Sequence, residues 1–290
     1  EEAIAIFGAD SPRSKDAVTL RVELKNRGYR TMLDDARASM EAGRYQAAWR
    51  TVHAALEVYG PDVEQSVEAR DLADRILQAG TVAVVATPFA PGRDAADVPQ
   101  SLRDELDGIL EEEAWTAPPL FVAVVEPLAV RREMRRLELD AGELSPSRAA
   151  ALGQRLGARW VAVLVVERCT RGPVGRAEPR QAKTRDQRPA TYELFRHRTL
   201  HVRCGWRLVD CADGSVVERG SFEAGDRRSH DWATVTGANP EQLLLTWEEH
   251  TWFDPDRLRE ADRTLERSVA RDLAPRIAEA VYAEVTRRLP

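Results

Sequence analysis

Cysteine is scarce in this chain of 290 residues, which contains only Cys169, Cys204 and Cys211. No two of them have the C-x-x-C spacing and their number is odd, so the sequence predicts neither a zinc site nor a disulfide framework. At most one disulfide can form. Cys204 alternates with apolar residues, which indicates a small buried core residue and not a nucleophile. We therefore expect no metal ion and no catalytic thiol.

Long apolar runs and nucleotide-binding motifs are also missing. The strongest apolar stretches, Thr81 to Ala90 and Trp160 to Val166, are shorter than the roughly 18 residues that a membrane-spanning helix needs. The chain has neither a G-x-x-x-x-G-K-[ST] nor a G-x-G-x-x-G motif, so we expect no nucleotide cofactor. A link to a membrane would require a signal peptide or lipid anchor before Glu1.

Lysine is nearly absent, and the net charge of −6 argues against a general nucleic-acid binder, whose domain is normally basic. Residues 168–207 are nevertheless basic, with eleven Lys or Arg against three acids. Because arginine pairs bidentately with carboxylates, this segment suggests a docking surface for an acidic protein partner or for an acidic face of a second copy. A solvated loop and an exposed strand face are the alternative. The residues predicted to bind a partner are Arg171, Arg176, Arg180, Lys183, Arg185, Arg188, Arg198 and Arg203.

The periodicity of apolar residues predicts two domains, 1–80 and 81–290. In the first, apolar residues recur at helical spacing, which predicts two antiparallel helices joined by a turn at Gly43. The hairpin at 30–61 resembles a single tetratricopeptide-type repeat, and an ordinary helical hairpin is the alternative. The residues that carry this resemblance are Ala36, Gly43, Tyr45, Ala48, Ala55, Leu56 and Pro61.

The second predicted domain alternates between strands and helices, which predicts an α/β fold with a mixed sheet. Two alternating stretches predict a hairpin closed by a turn at Asp213 and Gly214. The Arg- and Pro-rich segment from Cys169 to Pro189 shows almost no alternation, so we expect a loop there. The predicted strands are 81–87, 120–125, 159–167, 200–208 and 216–222, and the predicted helices are 101–112, 127–141, 146–156 and 255–289.

Residues 230–254 are rich in tryptophan and lie between the predicted hairpin and the terminal helix. We expect an irregular segment that aromatic side chains anchor to the sheet. The alternative is a hydrolytic site in which His230, Asp231 and His250 supply acid and base groups. These groups follow no known catalytic constellation, so we assign no catalytic residue. The predicted anchors are Trp232, Trp247, Trp252 and Phe253.

Three motifs resemble those of the TolB amino-terminal domain and of the curli-secretion (CsgG-like) lipoproteins. The strand at 82–87 and the Pro88-Phe89 pair after it are similar to the opening of these domains. Residues 149–164 resemble their combination of a helix, a Leu-Gly pair and a strand. Residues 207–217 are similar to their recurrent hairpin, which begins Arg-Leu-Val-Asp and contains an Asp-Gly turn.

This resemblance covers residues 81–289 and implies a mixed-sheet, anticodon-binding-like α/β fold. It implies a non-enzymatic scaffold or adaptor of a bacterial cell-envelope assembly, in secretion, cell-wall or flagellar-type machinery, that acts by protein–protein binding. It further implies a periplasmic or outer-membrane-associated location, protein partners in an envelope complex, and no cofactor. Self-association through the basic segment 168–207 is a separate hypothesis. Two alternatives stay open: a hydrolytic enzyme that uses residues 230–254, and a cytoplasmic interaction module.

Overall fold

The computed structural model describes residues 12–59, 66–92, 95, 97–237 and 239–289. These residues form a mixed α/β protein with a helical region at the amino-terminal end and a mixed sheet of seven strands. The α-helices are α1 (Pro12–Glu41), α2 (Tyr45–Tyr59), α3 (Ser66–Gly80), α4 (Gln100–Ile109), α5 (Pro127–Arg136), α6 (Pro146–Arg155), α7 (Trp247–Thr251) and α8 (Pro255–Arg287). The strands are β1 (Val82–Ala86), β2 (Ala90–Pro91), β3 (Val122–Val124), β4 (Trp160–Pro173), β5 (Glu178–Lys183), β6 (Pro189–Asp210) and β7 (Val216–Val235).

Helices α1, α2 and α3 share one core because each carries aliphatic or small residues three or four positions apart. Tyr29 and Leu33 of α1, Val52 of α2 and Ile76 of α3 are buried together. Gly43 lies between α1 and α2 with a φ of +73°, a conformation that favours glycine. The predicted turn at this glycine is therefore confirmed. The prediction of only two helices is wrong, since the structure contains a third helix, α3. Its apolar residues have the same spacing as those of the other two.

Contacts divide the described residues into two compact units. One unit consists of the described parts of Glu1–Val82, Pro119–Ala123 and Val285–Pro290, and the other of Ala83–Pro118 and Val124–Glu284. The helical unit thus includes two segments that are distant in sequence, and Phe121 is buried among its helices. The domains 1–80 and 81–290 remain a prediction about independent folding. Pro61, predicted to close the helical hairpin, lies outside the described residues.

The sheet of the described residues has the order β3-β1-β4-β6-β5, with β2 paired to β4 and β7 paired to β6. Strands β1 and β2 run parallel to β4, whereas β4, β5 and β7 are each antiparallel to β6. Val84 lies opposite Trp160, and Leu164 lies opposite Trp206. The predicted mixed sheet and its β6–β7 hairpin are confirmed.

Three strands are much longer than predicted. β4 continues to Pro173, β6 begins at Pro189 and β7 runs to Val235. The segment from Cys169 to Pro189 is therefore not a single loop, since it contains the end of β4 and all of β5. Residues 230–235 belong to β7 and are not irregular. In these extensions the side chains are largely polar on both faces, so the apolar alternation that reveals a strand is lost while backbone pairing continues.

Apolar side chains fill the part of the sheet that helices cover. Val161 and Val163 of β4 pack with Val130 of α5 and Leu152 of α6. Ser145 caps α6, because its hydroxyl accepts the Arg148 N–H, as the sequence predicted.

Helix α8 buries one side of its length, as its periodicity predicted. The guanidinium of Arg276 lies 4.9 Å from the centre of the Phe222 ring of β7, so this helix contacts the sheet. Its most deeply buried aliphatic residues are Leu265, Val269, Leu273, Ile277, Val281 and Val285.

Candidate protein-binding surface

Beyond the helix-covered part, the sheet continues as an extension that we call the arm, residues 174–197 and 229–253. The arm contains β5, the first part of β6, the last part of β7 and α7. Antiparallel pairing maintains it, with Tyr192 of β6 opposite Val235 of β7. Most residues that the sequence singled out for binding or anchoring lie on this arm.

The arm has a small apolar core of its own. Tyr192 and Leu194 are buried, and the segment after β7 folds back over them. The ring of Phe253 meets the ring of Tyr192 with 5.5 Å between centres, and the Ala233 N–H donates to the Trp252 carbonyl at 2.9 Å. Trp252 and Phe253 therefore lie where anchors were expected.

Trp232 lies in strand β7 and not in a loop. Its ring stacks on Phe195 of β6 with 4.2 Å between ring centres. The Arg198 guanidinium lies 5.3 Å from the centre of the Trp232 ring. These contacts are cross-strand aromatic and cation–π interactions, which stabilise a sheet where no helix covers it.

Trp247 does not anchor residues 230–254 to the sheet. Its side chain is 84% exposed at the start of α7, so the expectation that it fastens the segment to the sheet is wrong. The physical reason is the cap at Thr246, whose hydroxyl accepts the Glu249 N–H and starts a short helix. That helix begins at Trp247 and leaves its indole in solvent.

Two of the predicted partner-binding arginines lie at the base of the arm and form ion pairs within the protein. Arg171 binds Asp262 of α8 at 2.9 Å and also contacts Glu266, which is 1% exposed. Arg198 pairs with Asp262 through two guanidinium nitrogens. A buried carboxylate requires such partners, because an unpaired buried charge is strongly destabilising. Arg171 and Arg198 are thus engaged by α8.

Two other predicted arginines, Arg180 and Arg203, form exposed ion pairs within the sheet. Arg180 and Arg196 both bind Glu178, at 3.0 and 2.9 Å. Their hydrogen bonds lower the pKa of Glu178 to about 2. Arg203 lies outside the arm, where it binds Glu167 at 2.8 Å.

The remaining four predicted basic residues are exposed and form no ion pair within the part of the chain that the structure describes. Arg176 lies between β4 and β5. The other three surround the turn that joins β5 to β6, where Gln187 adopts a φ of +63°. This turn gathers positive charge at one end of the arm. The four residues are Arg176, Lys183, Arg185 and Arg188.

Exposed apolar side chains lie beside this basic turn. Leu244 is 51% exposed, and its N–H donates to the Lys183 carbonyl at 2.7 Å. The Arg185 N–H donates to the Gln242 carbonyl at 2.9 Å, so the two segments run side by side. Trp247 follows Leu244 by three residues. We call Lys183, Arg185, Arg188, Leu244 and Trp247 the tip patch.

Sequence reasoning missed Leu244, although a signal for it was present. Leu243, Leu244 and Leu245 are consecutive, and an extended chain cannot direct three consecutive side chains to one face. Leu243 is buried in the arm core, so its neighbour Leu244 turns outward.

The alternative hydrolytic site does not assemble in the described residues. No hydrogen bond joins the imidazole of His230 or His250 to a carboxylate there. Burial, together with Arg257 and Arg198, lowers the pKa of His230. In the same part of the chain no three His, Cys, Asp or Glu side chains are grouped to hold a metal ion.

The three cysteines are free thiols in this structure. Cys204 and Cys211 are buried, which confirms the prediction of a core role for Cys204. Burial raises the pKa of all three thiols, an effect that disfavours the reactive thiolate.

Fold and surface together define a mixed α/β protein with a helical region, whose arm exposes an apolar and basic patch. Among the described residues, no helix has the length and apolar character needed to cross a membrane.

No known family model matches the sequence, and no curated protein matches it. Solved structures with similarity include the lipoprotein GNA1162 from Neisseria meningitidis, with 15% identity, 62% of this chain and 98% of that chain covered, and a TM-score of 0.32. The LpoB C-terminal domain from Salmonella enterica has 11% identity, covers 52% of this chain and 90% of its own, and has a TM-score of 0.29. The PelC dodecamer from Paraburkholderia phytofirmans has 14% identity, covers 67% of this chain and 86% of its own, and has a TM-score of 0.23. TM-scores this low establish no common fold.

Proposed function

We propose that this protein is a non-enzymatic scaffold or adaptor that binds other proteins through the tip patch. The observation that carries this proposal is the exposure of Trp247, 84% of whose surface is open to solvent beside Leu244 and a basic turn. Tryptophan and arginine are the residues most enriched among those that dominate binding energy at protein interfaces. An exposed indole, three residues after an exposed leucine that hydrogen-bonds to the basic turn, is suited to binding a partner.

The chemistry of the patch specifies its partner as an acidic protein segment that carries an apolar side chain. Trp247 and Leu244 would cover the apolar side chain, and Lys183, Arg185 and Arg188 would pair with carboxylates around it. Arg185 and Arg188 can each bind a carboxylate through two nitrogens. Charge at the rim of an interface accelerates association and selects partners more than it adds affinity.

The setting that we propose is a bacterial cell-envelope assembly, periplasmic or outer-membrane-associated. Its support is the sequence resemblance of residues 81–289 to envelope domains, in particular the Pro88-Phe89 motif and the hairpin at 207–217. An acidic face of a second copy is one form of the partner, because the chain outside residues 168–207 is strongly acidic.

A selection from a phage-displayed library of random peptides tests the tip patch. The protein serves as bait, and the Trp247→Ala variant serves for counter-selection. Enriched peptides are expected to be acidic, to contain a large apolar residue, and to bind more weakly as salt rises, since exposed charges are screened over about 8 Å at physiological ionic strength. Recovery of neutral or basic peptides, or equal binding to the variant, would contradict the proposal.

Matched variants distinguish binding by the tip patch from nonspecific binding to other exposed residues. Leu128→Ala removes another exposed apolar residue, from α5, and Arg259→Ser removes another exposed arginine, from α8. Both are expected to bind the selected peptides as the wild type does. The triple change Lys183→Ser, Arg185→Ser and Arg188→Ser is expected to slow association at low salt and to remove the salt dependence of binding.

We further propose that residues 81–290 fold without the helical segment, which would leave the helices to serve a second partner. Expressed alone, this fragment is expected to unfold cooperatively on heating. Because Phe121 is buried among the helices, the fragment is also made with Phe121→Ser to keep it soluble. If neither version unfolds cooperatively, the helices complete the core of this domain.

A further inference from the structure

A crevice of about 1000 Å³ opens at the carboxyl end of β1. Its walls are the β1–β2 connection, α4 with the helical turn that follows it, and α5. The chain leaves β1 through α4 to reach β3 on one side, and continues through α5 and α6 to reach β4 on the other side. The carboxyl end of β1 is therefore a topological switch point, the place where open α/β sheets bind ligands.

Asp107 of α4 lines this crevice. One oxygen of its carboxyl group, Oδ1, accepts the Phe89 N–H at 2.8 Å. No other hydrogen bond to this carboxyl group is found in the described ranges. Burial raises the pKa of Asp107 to about 7, and the Phe89 N–H and Arg131 only partly offset that effect. The fold thus holds a carboxyl group in poorly solvated surroundings, with one oxygen that accepts no hydrogen bond from the described residues.

The walls around Asp107 are apolar on two sides. They present a proline, an aromatic ring and three other apolar side chains. A ligand with a hydrocarbon stem would bury that stem against them. These residues are Pro88, Phe89, Ala90, Met134 and Leu139.

Charges in the crevice favour a cation. Acidic residues outnumber basic ones among the lining residues, and Arg131 is already paired with Glu111. The charged lining residues are Asp104, Asp107, Glu111, Glu138 and Asp140 on the acidic side and Arg103, Arg131 and Arg135 on the basic side.

We propose that this crevice binds a cationic group on an apolar stem, an alkylammonium or alkylguanidinium, with the free carboxyl oxygen of Asp107 as its anionic partner. Such a group occurs in free amines and in the lysine or arginine side chain of a peptide. The crevice shares no residue with the tip patch, so its occupancy does not depend on the function proposed for the arm.

Calorimetric titration with defined probes tests this inference. The probes are hexylamine, butylguanidine and the capped tripeptides acetyl-Leu-Lys-Leu-amide and acetyl-Leu-Arg-Leu-amide, with hexanoate as the anionic control. The alkyl cations are expected to bind and hexanoate is not. Tighter binding of the tripeptides than of the free cations would identify a peptide as the natural source, and the reverse would identify a small amine.

Asp107→Asn is the decisive variant, because its amide oxygen can still accept the Phe89 N–H. Affinity for the cations is expected to fall at least about tenfold in this variant, and to be unchanged in Asp97→Asn, which alters an exposed carboxylate. A thermal melt shows whether Asp107→Asn retains its fold. Equal affinity in wild type and Asp107→Asn, or no binding of any cation up to about 10 mM, would overturn the inference.

The pH dependence supplies a readout that a purely structural role of Asp107 would not give. A cation binds the ionised carboxylate, so affinity in the wild type is expected to rise about tenfold between about pH 6 and pH 8. The charged groups that face Asp107 are Arg131 of α5, Asp104 of α4 and Glu111 in the turn after α4. Because Asp107→Asn keeps all of them, loss of the rise in that variant assigns it to Asp107, whereas a rise that persists would refute the assignment.

Discussion

The two halves of strand β6 are held by different forces. From Leu200 to Asp210 the strand lies between β4 and β7, and alternate side chains such as Cys204 and Leu208 are fully buried. From Pro189 to His197 it lies in the arm, where polar pairs and one small apolar core replace that burial. Pairing with β7 extends along both halves, with a register shift between Phe195 and His197 where they meet. The comparison shows that one ladder supports a stabilising core and, farther along, a platform that presents side chains to solvent.

Truncation of one core side chain in the helix-covered part of the sheet and of one in the arm gives the largest expected difference. Leu164→Ala, in the buried part of β4, is expected to cost about 4 kcal/mol of unfolding free energy, because the cavity adds to the lost transfer energy. Leu194→Ala is equally buried but lies in the arm core, so it should mainly promote local opening there. Urea unfolding measures the first effect, and hydrogen exchange of arm amides measures the second. Equal global destabilisation would show that arm and core unfold as one unit.

Loss of a carboxylate at the base of the arm should lower the free energy of unfolding far more than loss of a carboxylate on the arm itself. Glu266→Ala leaves Arg171 half-buried with a single partner, and is expected to cost roughly 3 kcal/mol. Glu178→Ala breaks two exposed ion pairs and is expected to change stability very little, since solvent screens such pairs. Unfolding in urea at low salt compares them. A large loss for Glu178→Ala would contradict the distinction drawn between base and arm.

The half-buried carboxyl group of Asp107 at the crevice should make stability depend on pH between about pH 4 and pH 7. The pKa of Asp107 is raised to about 7 in the folded state from 3.8, so between these values the folded state binds more protons. Stability is therefore expected to fall as the pH rises from about 4 to about 7. Asp107→Asn should remove that slope, which urea midpoints at several pH values would show. An unchanged slope would place the responsible group elsewhere.

Trp247→Ala is expected to have the smallest effect on stability, within about 0.5 kcal/mol, because the indole is exposed and contacts little. Its effect should appear only in binding by the tip patch. Trp252→Ala offers the contrast, since this side chain belongs to the arm core and its loss should destabilise the arm. A large loss of stability in Trp247→Ala would mean that the residue has a structural role after all.

Regular periodicity was enough to predict much of the covered domain. Alternation from Leu200 to Leu208 predicted a strand with one buried face, and the spacing from Leu265 to Val285 predicted the buried side of α8. Ser145 before a proline predicted a helix start. Each of these features is decided by residues within about two helical turns of one another, so the local sequence contains the information.

The arm and the crevice could not be predicted in the same way. The sequence alone suggests that Arg171 is a free cation. In the structure α8 places Asp262, 91 residues later in the chain, against it. Trp247 reads as an anchor, and only the helix start at Thr246 places it in solvent. Asp107 is one of several carboxylates on an amphipathic helix until the chain reversal after β1 brings Phe89 to it.

The sequence by itself determined the α/β alternation, the β6–β7 hairpin and its turn, the burial of Cys204 and the basic character of residues 168–207, because local periodicity and composition express these properties directly. Only the tertiary structure decided how far the strands extend, which arginines are paired and which remain exposed, and where Asp107 meets the chain again. Those outcomes depend on contacts between distant segments, whose partners no local pattern specifies.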